Sequence, residues 1–232
     1  MRELQDREAL LQYLCKFQLE QVFHEQVVPY LSLCSFEQGE IICSQGETAQ
    51  YLYVLVKGKM KIYNSSAEGK TLILSFRTPL EVIGDIEYVQ NIPIINTVEA
   101  ISPVVMIGVH HRSLNKFSRD HSPFLQFLLD IITRKFHVKS NTLSQNVMYP
   151  AEVRLASYLL SMSIDESDVL FEGQLSSGSL GDVANLIGVS YRHMNRVIRS
   201  FCQEGLVERR KGQILVKNRE GLARLASRNI YE

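Results

Sequence analysis

The sequence predicts an α+β protein in three parts: a jelly-roll-like antiparallel β domain behind N-terminal helices, one long helix, and a C-terminal winged helix-turn-helix. Three observations carry this reading. Glycine-punctuated β-prone runs fill residues 31–109, a stretch without Gly or Pro runs from Phe124 to Leu143, and two short helices with matching apolar stripes flank Gly188-Val189.

A chain of 232 residues suits two domains, and 45% hydrophobic with 22% charged residues is the composition of a folded globular protein. The predicted boundaries are 1–122 for the β domain with its leading helices, 123–149 for the long helix and 150–232 for the C-terminal domain. Arg2 to Tyr30, rich in Leu, Gln and Glu, reads as one or two amphipathic helices ahead of Pro29. The β-prone runs are Leu31 to Phe36, Tyr51 to Lys57, Lys59 to Tyr63, Thr71 to Phe76 and Val104 to Val109, set apart by Gly39, Gly46, Gly58, Gly69 and Gly84.

Pro123 suits the start of the long helix. Its apolar residues, among them Phe124, Leu128, Ile131, Ile132 and Val138, span too wide an arc to pack on one side only. The surplus face has two open explanations: a second domain of the same chain, or the same helix of a second copy. Tyr149-Pro150 then marks a boundary, because the residue before proline is pushed out of the helical region, and Ala151 to Met162 reads as a further helix.

Leu180, Val183, Ala184 and Ile187 form one i, i+3, i+4, i+7 stripe behind Ser179, and Met194, Val197, Ile198 and Phe201 repeat it behind Ser190, a suitable N-cap. With those stripes inward, Arg192, Arg196 and Arg199 share the opposite face of the second helix with Tyr191, His193 and Asn195, where base edges of a major groove could be read. A solvated basic helix is the plainer alternative, but stripes, turn and cap coincide. Leu206 to Glu208 and Gln213 to Val216 form a hairpin around Arg209-Arg210-Lys211-Gly212, a basic wing suited to phosphates.

Formal net charge is zero, yet Tyr191 to Arg228 holds ten Lys/Arg against three Asp/Glu. The basic charge is thus gathered at the end expected to face DNA. The charged start Arg2 to Glu8 is unlike a secretory signal and no apolar run is long enough to span a membrane, so the expected location is cytoplasmic. Cys15, Cys34, Cys43 and Cys202 are dispersed without zinc spacing, which favours buried small hydrophobes over metal ligands. Leu31 to Val109 contains no histidine, which excludes a cupin-type metal enzyme. No enzyme activity, metal or cofactor is expected.

Phe36-Glu37-Gln38-Gly39-Glu40-Ile41-Ile42, Gln45-Gly46-Glu47, Leu52 to Lys59, Ile83-Gly84-Asp85-Ile86 and the helix-turn-helix at Leu180 to Phe201 resemble the cyclic-AMP receptor protein/FNR superfamily of regulators across nearly the whole chain. Gly188 to His193 and Ile214 to Arg219 look like its YeiL subgroup. The resemblance implies a cyclic-nucleotide-binding-like β-roll that senses an effector, a dimerisation helix and a homodimer reading a palindrome in double-stranded DNA, with RNA polymerase as a further partner of an activator. It selects the second copy as partner of the long helix, through Phe124, Leu128, Ile131, Ile132 and Val138.

The resemblance places an effector pocket at Ile83, Gly84, Asp85, Ile94 and Ile95, with Lys139 and Ser140 from the long helix. Nucleotide-binding members neutralise the cyclic phosphate with an arginine here; Gly84 to Ala100 has no Lys or Arg, and Asp85 replaces a glutamate. A phosphate would meet Asp85 without a countercharge, so cyclic AMP is not expected to bind and the small-molecule effector is unknown. The Ile92-Pro93-Ile94-Ile95 stretch suits a hydrophobic effector or, as the favoured reading, side chains that fill the pocket themselves. The cysteine spacing does not match FNR-type iron-sulfur sensing, and His24, His110, His111, His121 and His137 read as ordinary histidines rather than haem ligands. In the recognition helix Tyr191 and Arg192 stand where the cyclic-AMP receptor has arginine and glutamate, while Arg196 matches a base-reading arginine. The competing reading is a ligand-binding module that regulates a protein partner.

Overall fold

A computed structural model describes residues 2–65, 71–162, 175–176, 180–210 and 213–226, and the chain divides into two compact units, 1–136 and 137–232. Gly69, Ser179, Lys211 and Gly212 lie outside the described residues.

The first unit opens with β1 (Arg2–Leu4) and α1 (Arg7–Lys16), whose N-cap Asp6 accepts a hydrogen bond from the Ala9 N–H at 2.8 Å. The strand corrects the expectation of helix from Arg2. These residues pair antiparallel with β2 (Ser32–Phe36), Arg2 opposite Ser35, because that strand offers its free edge to them. There follow β3 (Ile41–Cys43), β4 (Tyr51–Lys57), β5 (Met60–Ser65), β6 (Thr71–Arg77), β7 (Glu81–Ile83), α2 (Asp85–Gln90), β8 (Thr97–Ala100) and β9 (Val104–His110). They build two antiparallel sheets, in the orders β1-β2-β9-β4-β7 and β3-β8-β5-β6.

β4 explains its own apolar run. Side chains alternate across a strand, so Leu52, Val54 and Val56 face the helices while Tyr53 and Leu55 face the space between the sheets, and every one is buried. The inter-sheet core adds Phe36, Met60, Val98 and Met106. The helix-facing core takes Leu10 and Leu14 of α1, Leu114 of α3 (His111–Phe117), and Phe124, Leu128 and Ile131 of α4 (Ser122–Met148).

This last placement corrects the pairing face predicted for the long helix. Phe124, Leu128 and Ile131 are buried within their own unit, and Ile132 is half-buried. The apolar side chains α4 leaves exposed are Leu125, Leu129, Phe136, Val138, Leu143, Val147 and Met148. The stretch was too wide in its arc because one side serves the fold and another remains uncovered.

Lys135 follows Leu128 and Ile131 on the buried side at i+7 and i+4. Its Nζ lies 3.0 Å from both oxygens of Asp85 and 3.0 Å from Glu81 Oε1, and donates to the Val82 carbonyl. Arg77 Nε sits 3.1 Å from Glu81 Oε2, an ion pair without hydrogen-bond geometry, so two cations balance two buried carboxylates.

The second unit holds α5 (Ala151–Met162), β10 (Leu175–Ser176), α6 (Leu180–Leu186), α7 (Tyr191–Gln203), β11 (Val207–Arg210), β12 (Gln213–Val216) and α8 (Arg219–Ala226), with a small sheet in the order β10-β12-β11. Its core joins Leu155 and Leu159 of α5 to both predicted stripes and to Leu206, Ile214 and Leu222. Among the described residues no helix is long and apolar enough to cross a membrane.

Replacing one partner of a buried charge cluster strands the others. Lys135→Met should lower stability by about 3 kcal/mol in urea unfolding, and adding Asp85→Asn should recover part of that loss.

Candidate nucleic-acid interface and effector cavity

The turn between α6 and α7 is held from both sides. The Ile187 N–H donates to the Val183 carbonyl and the Val189 N–H to the Ala184 carbonyl, both at 2.9 Å, while the buried Arg154 guanidinium of α5 donates to the Ile187 carbonyl. Gly188 adopts φ +67°, a left-handed conformation in which a side chain would be strained. Ser190 then caps α7, its hydroxyl accepting from the His193 N–H at 3.2 Å.

Met194, Val197, Ile198 and Phe201 are buried, which turns Tyr191, Arg192, Arg196 and Arg199 outward into solvent. His193 and Asn195 are half-buried. Among the described residues Arg192, Arg196 and Arg199 have no hydrogen bond or ion pair, so their guanidinium forks remain available to a ligand. Asn195 is committed locally. Its amide nitrogen donates to the Tyr191 carbonyl at 3.0 Å and its oxygen accepts from Arg209 Nη1 of β11 at 3.2 Å.

The predicted hairpin is present, with Val207 opposite Val216 and Arg210 opposite Gln213. Arg209 and Arg210 are exposed strand residues rather than members of the turn; Lys211 lies outside the described residues. Arg209 leans on α7 through Asn195. Lys217 pairs with Glu208 at 2.7 Å, and that hydrogen bond holds the Glu208 carboxyl below its ordinary range.

In the first unit a cavity of about 340 Å³ is lined by Ile42, Cys43, Glu47, Thr48, Gln50, Tyr51, Tyr53, Ile83 and Ile94. Ile42, Tyr53, Ile83 and Ile94 are buried at its floor, whereas Glu47, Thr48 and Gln50 are exposed at its rim. The open volume corrects the expectation that Ile92 to Ile95 fill the pocket: only Ile94 of that stretch lines it. Gly84 (φ +87°) brings the backbone so close to β4 that a Cβ would lie 2.5 Å from the Tyr51 carbonyl oxygen. Ile95 is half-buried and donates its N–H to Glu87 Oε1 at 3.0 Å. Lys139 and Ser140 are exposed on the part of α4 that belongs to the second unit.

Asp85 differs from its expected state. Lys135 supplies the countercharge that Gly84 to Ala100 lacks, from fifty residues away along the chain. The available signal was a lysine in register with Leu128 and Ile131 on a helix whose buried face is otherwise apolar. Glu47, Tyr51 and Tyr53 were not singled out as site residues, because a strand's alternation says which residues share a face but not where two sheets part.

A β-roll followed by a winged helix-turn-helix is the layout of a two-domain transcription regulator. The profile described as a cyclic nucleotide-binding domain matches residues 33–121, and that of a Crp-like helix-turn-helix domain matches 153–225. The chain is 27% identical to Regulatory protein YeiL of Escherichia coli O157:H7 over 194 residues, 84% of this chain and 85% of that one. It is 22% identical over 199 residues to a CRP-like cAMP-activated global transcriptional regulator of Mycobacterium tuberculosis H37Rv, covering 82% and 86%. Its fold is shared with a Crp/Fnr-family protein of Eubacterium rectale (TM-score 0.75, 19% identity, 88% and 93% covered) and with FixK2 of Bradyrhizobium japonicum (0.65, 22%, 84% and 96%). The chain belongs to the Crp/Fnr family of DNA-binding transcription regulators.

Ser190→Ala removes the hydroxyl that caps α7. The second unit should lose about 1 kcal/mol of stability, read from chemical unfolding followed by circular dichroism.

Proposed function

We propose that the protein regulates transcription as a cytoplasmic homodimer, reading a palindromic operator with residues 150–232, pairing through the helix at 123–149, and sensing an effector with residues 1–122. The guanidinium forks of Arg192 and Arg196, without a hydrogen bond or ion pair among the described residues and on the exposed face of a capped helix, are the observation that carries this reading. Arg can meet the two acceptors of guanine in the major groove bidentately. Ser190, Tyr191, His193, Asn195 and Arg199 complete the helix surface, and Arg209, Arg210 and Lys211 offer the wing to phosphates.

Pairing is supported by the face α4 leaves uncovered. Leu125, Leu129, the half-buried Ile132, Phe136 and Leu143 follow alternating steps of four and three that a coiled-coil seam requires, with Lys139 in the intervening position. Val138 lies beside this seam; Phe124, Leu128 and Ile131 do not take part. Effector occupancy of the β-roll would bias the long helices and so the separation of the two reading helices, a coupling between distant sites. Cyclic AMP is not the effector. Ile94 and Ile95 offer its phosphate no cation, and Lys135 is taken up by Asp85 and Glu81.

Selection from a random duplex library by the purified protein should enrich a palindrome, and an Arg192→Ala/Arg196→Ala double mutant should lose it; enrichment by both proteins alike would refute the assigned reading face. Arg196→Ala alone should cost about 1 to 3 kcal/mol of binding and relax one base position. Binding that ignores salt concentration would instead favour a protein partner.

A Leu129→Glu/Phe136→Glu variant should sediment as a monomer. A dimer that persists would move the pairing elsewhere.

A further inference from the structure

Three chemistries meet at the β-roll cavity. The first is aromatic: Tyr51 and Tyr53, two apart on β4 and so on one face, both line it, with ring centroids 5.6 Å apart and 20° between planes. The second is acidic. Glu47 stands at the rim, its Oε2 accepting from the Ser44 N–H at 3.2 Å. Glu87, 7% exposed on α2, does not line the cavity itself but acts on the thiol of the lining Cys43; its carboxylate accepts from the Ile95 N–H and has no cation in contact among the described residues. The third is what the lining omits: among the described residues it holds no Lys, Arg or His, although His110 packs edge-on against the Tyr51 ring with centroids 4.9 Å apart.

Cys43 reports the resulting field. Burial chiefly, which penalises a charge of either sign, then the nearby Glu87 carboxylate and, less strongly, Glu47, push its thiol up to about 12; the two carboxylate contributions are the part that disfavours an anion and favours a cation. A cation gains from the same arrangement twice, through the carboxylates and through the negative faces of the tyrosine rings. The volume of about 340 Å³ is at the small end of ligand sites, too large for a bare ion and sufficient for a small organic molecule.

We propose that this cavity binds an organic cation, an amine or quaternary ammonium compound whose charged head sits between Glu47 and the Tyr51 and Tyr53 rings and whose apolar part meets Ile42, Ile83 and Ile94. The assignment rests on the reading of the first unit as the effector sensor and names the effector's chemical class.

The test is calorimetric titration of the full-length protein with choline and with 3,3-dimethylbutan-1-ol, the same shape with carbon in place of the charged nitrogen. Choline should saturate and bind at least about tenfold more tightly than the neutral alcohol. Glu47→Gln and Glu87→Gln keep their hydrogen-bond acceptors and remove the charge, and each should shrink that preference several-fold while leaving the alcohol's affinity unchanged. Should Glu87→Gln fail to fold, Glu47→Gln at the exposed rim decides the matter. Equal binding of the two compounds, no saturation by choline, or a preference that survives Glu47→Gln overturns the proposal. Operator selection by the same wild-type preparation is scored separately: a palindrome enriched without choline binding sinks only the effector class, whereas no palindrome bears on the DNA-reading half.

Discussion

One ammonium group holds the edge of the β-roll to the long helix. Lys135 satisfies Asp85 at the start of α2, Glu81 on β7 and the main chain between them, at a place where unpaired carboxylates would be expensive to bury. An apolar residue at 135 would pack against the same surface but would specify no register. The charge cluster sets α4 against β7 and α2 at one height, and Phe124, Leu128 and Ile131 then fall into the helix-facing core. The uncovered face of α4 and the wall of the cavity at Ile83 both follow from that setting.

The second unit solves a different problem, that of presenting cations without collapsing them onto nearby acids. Arg192, Arg196 and Arg199 have no carboxylate on their helix face, since the glutamates of the region lie at the far end of α7 and on the wing. There Glu204 is engaged by the Ser200 hydroxyl at 2.8 Å and Glu208 by Lys217. Acidic groups are thereby neutralised within the wing or capped at the helix end. A chain with zero formal charge can in this way keep a basic surface.

The helix-turn-helix was legible in the sequence because its information is local: a stripe, a break at Gly188-Val189, a cap and a second stripe lie within twenty-odd consecutive residues, and each was found where expected. The long strands were legible for the same reason. Strands of three or four residues, β3, β7 and β8, carry too little periodicity to stand out, and β1 depends on a partner edge thirty residues away. The apolar residues of α4 were recognised as a set, but Phe124, Leu128 and Ile131 were assigned to the pairing face although they are buried in their own unit, since only the packing of α1 and the five-stranded sheet decides which side is inside. Lys135 was not singled out because its partners are fifty residues away, and of the expected pocket residues only Ile83 and Ile94 line the cavity, because side-chain volumes between sheets cannot be summed along a strand.

The bond between Asn195 and Arg209 divides the labour on α7. One polar position of α7 is reserved for fastening β11, and among the described residues Arg192, Arg196 and Arg199 have no hydrogen bond or ion pair. Under the proposed reading of DNA by α7, descendants of this protein could exchange those three side chains and acquire new target sites while the Asn195–Arg209 fastening stays intact. Changes at 195 would be far more constrained, so drift in specificity within a lineage should be concentrated at the unfastened positions.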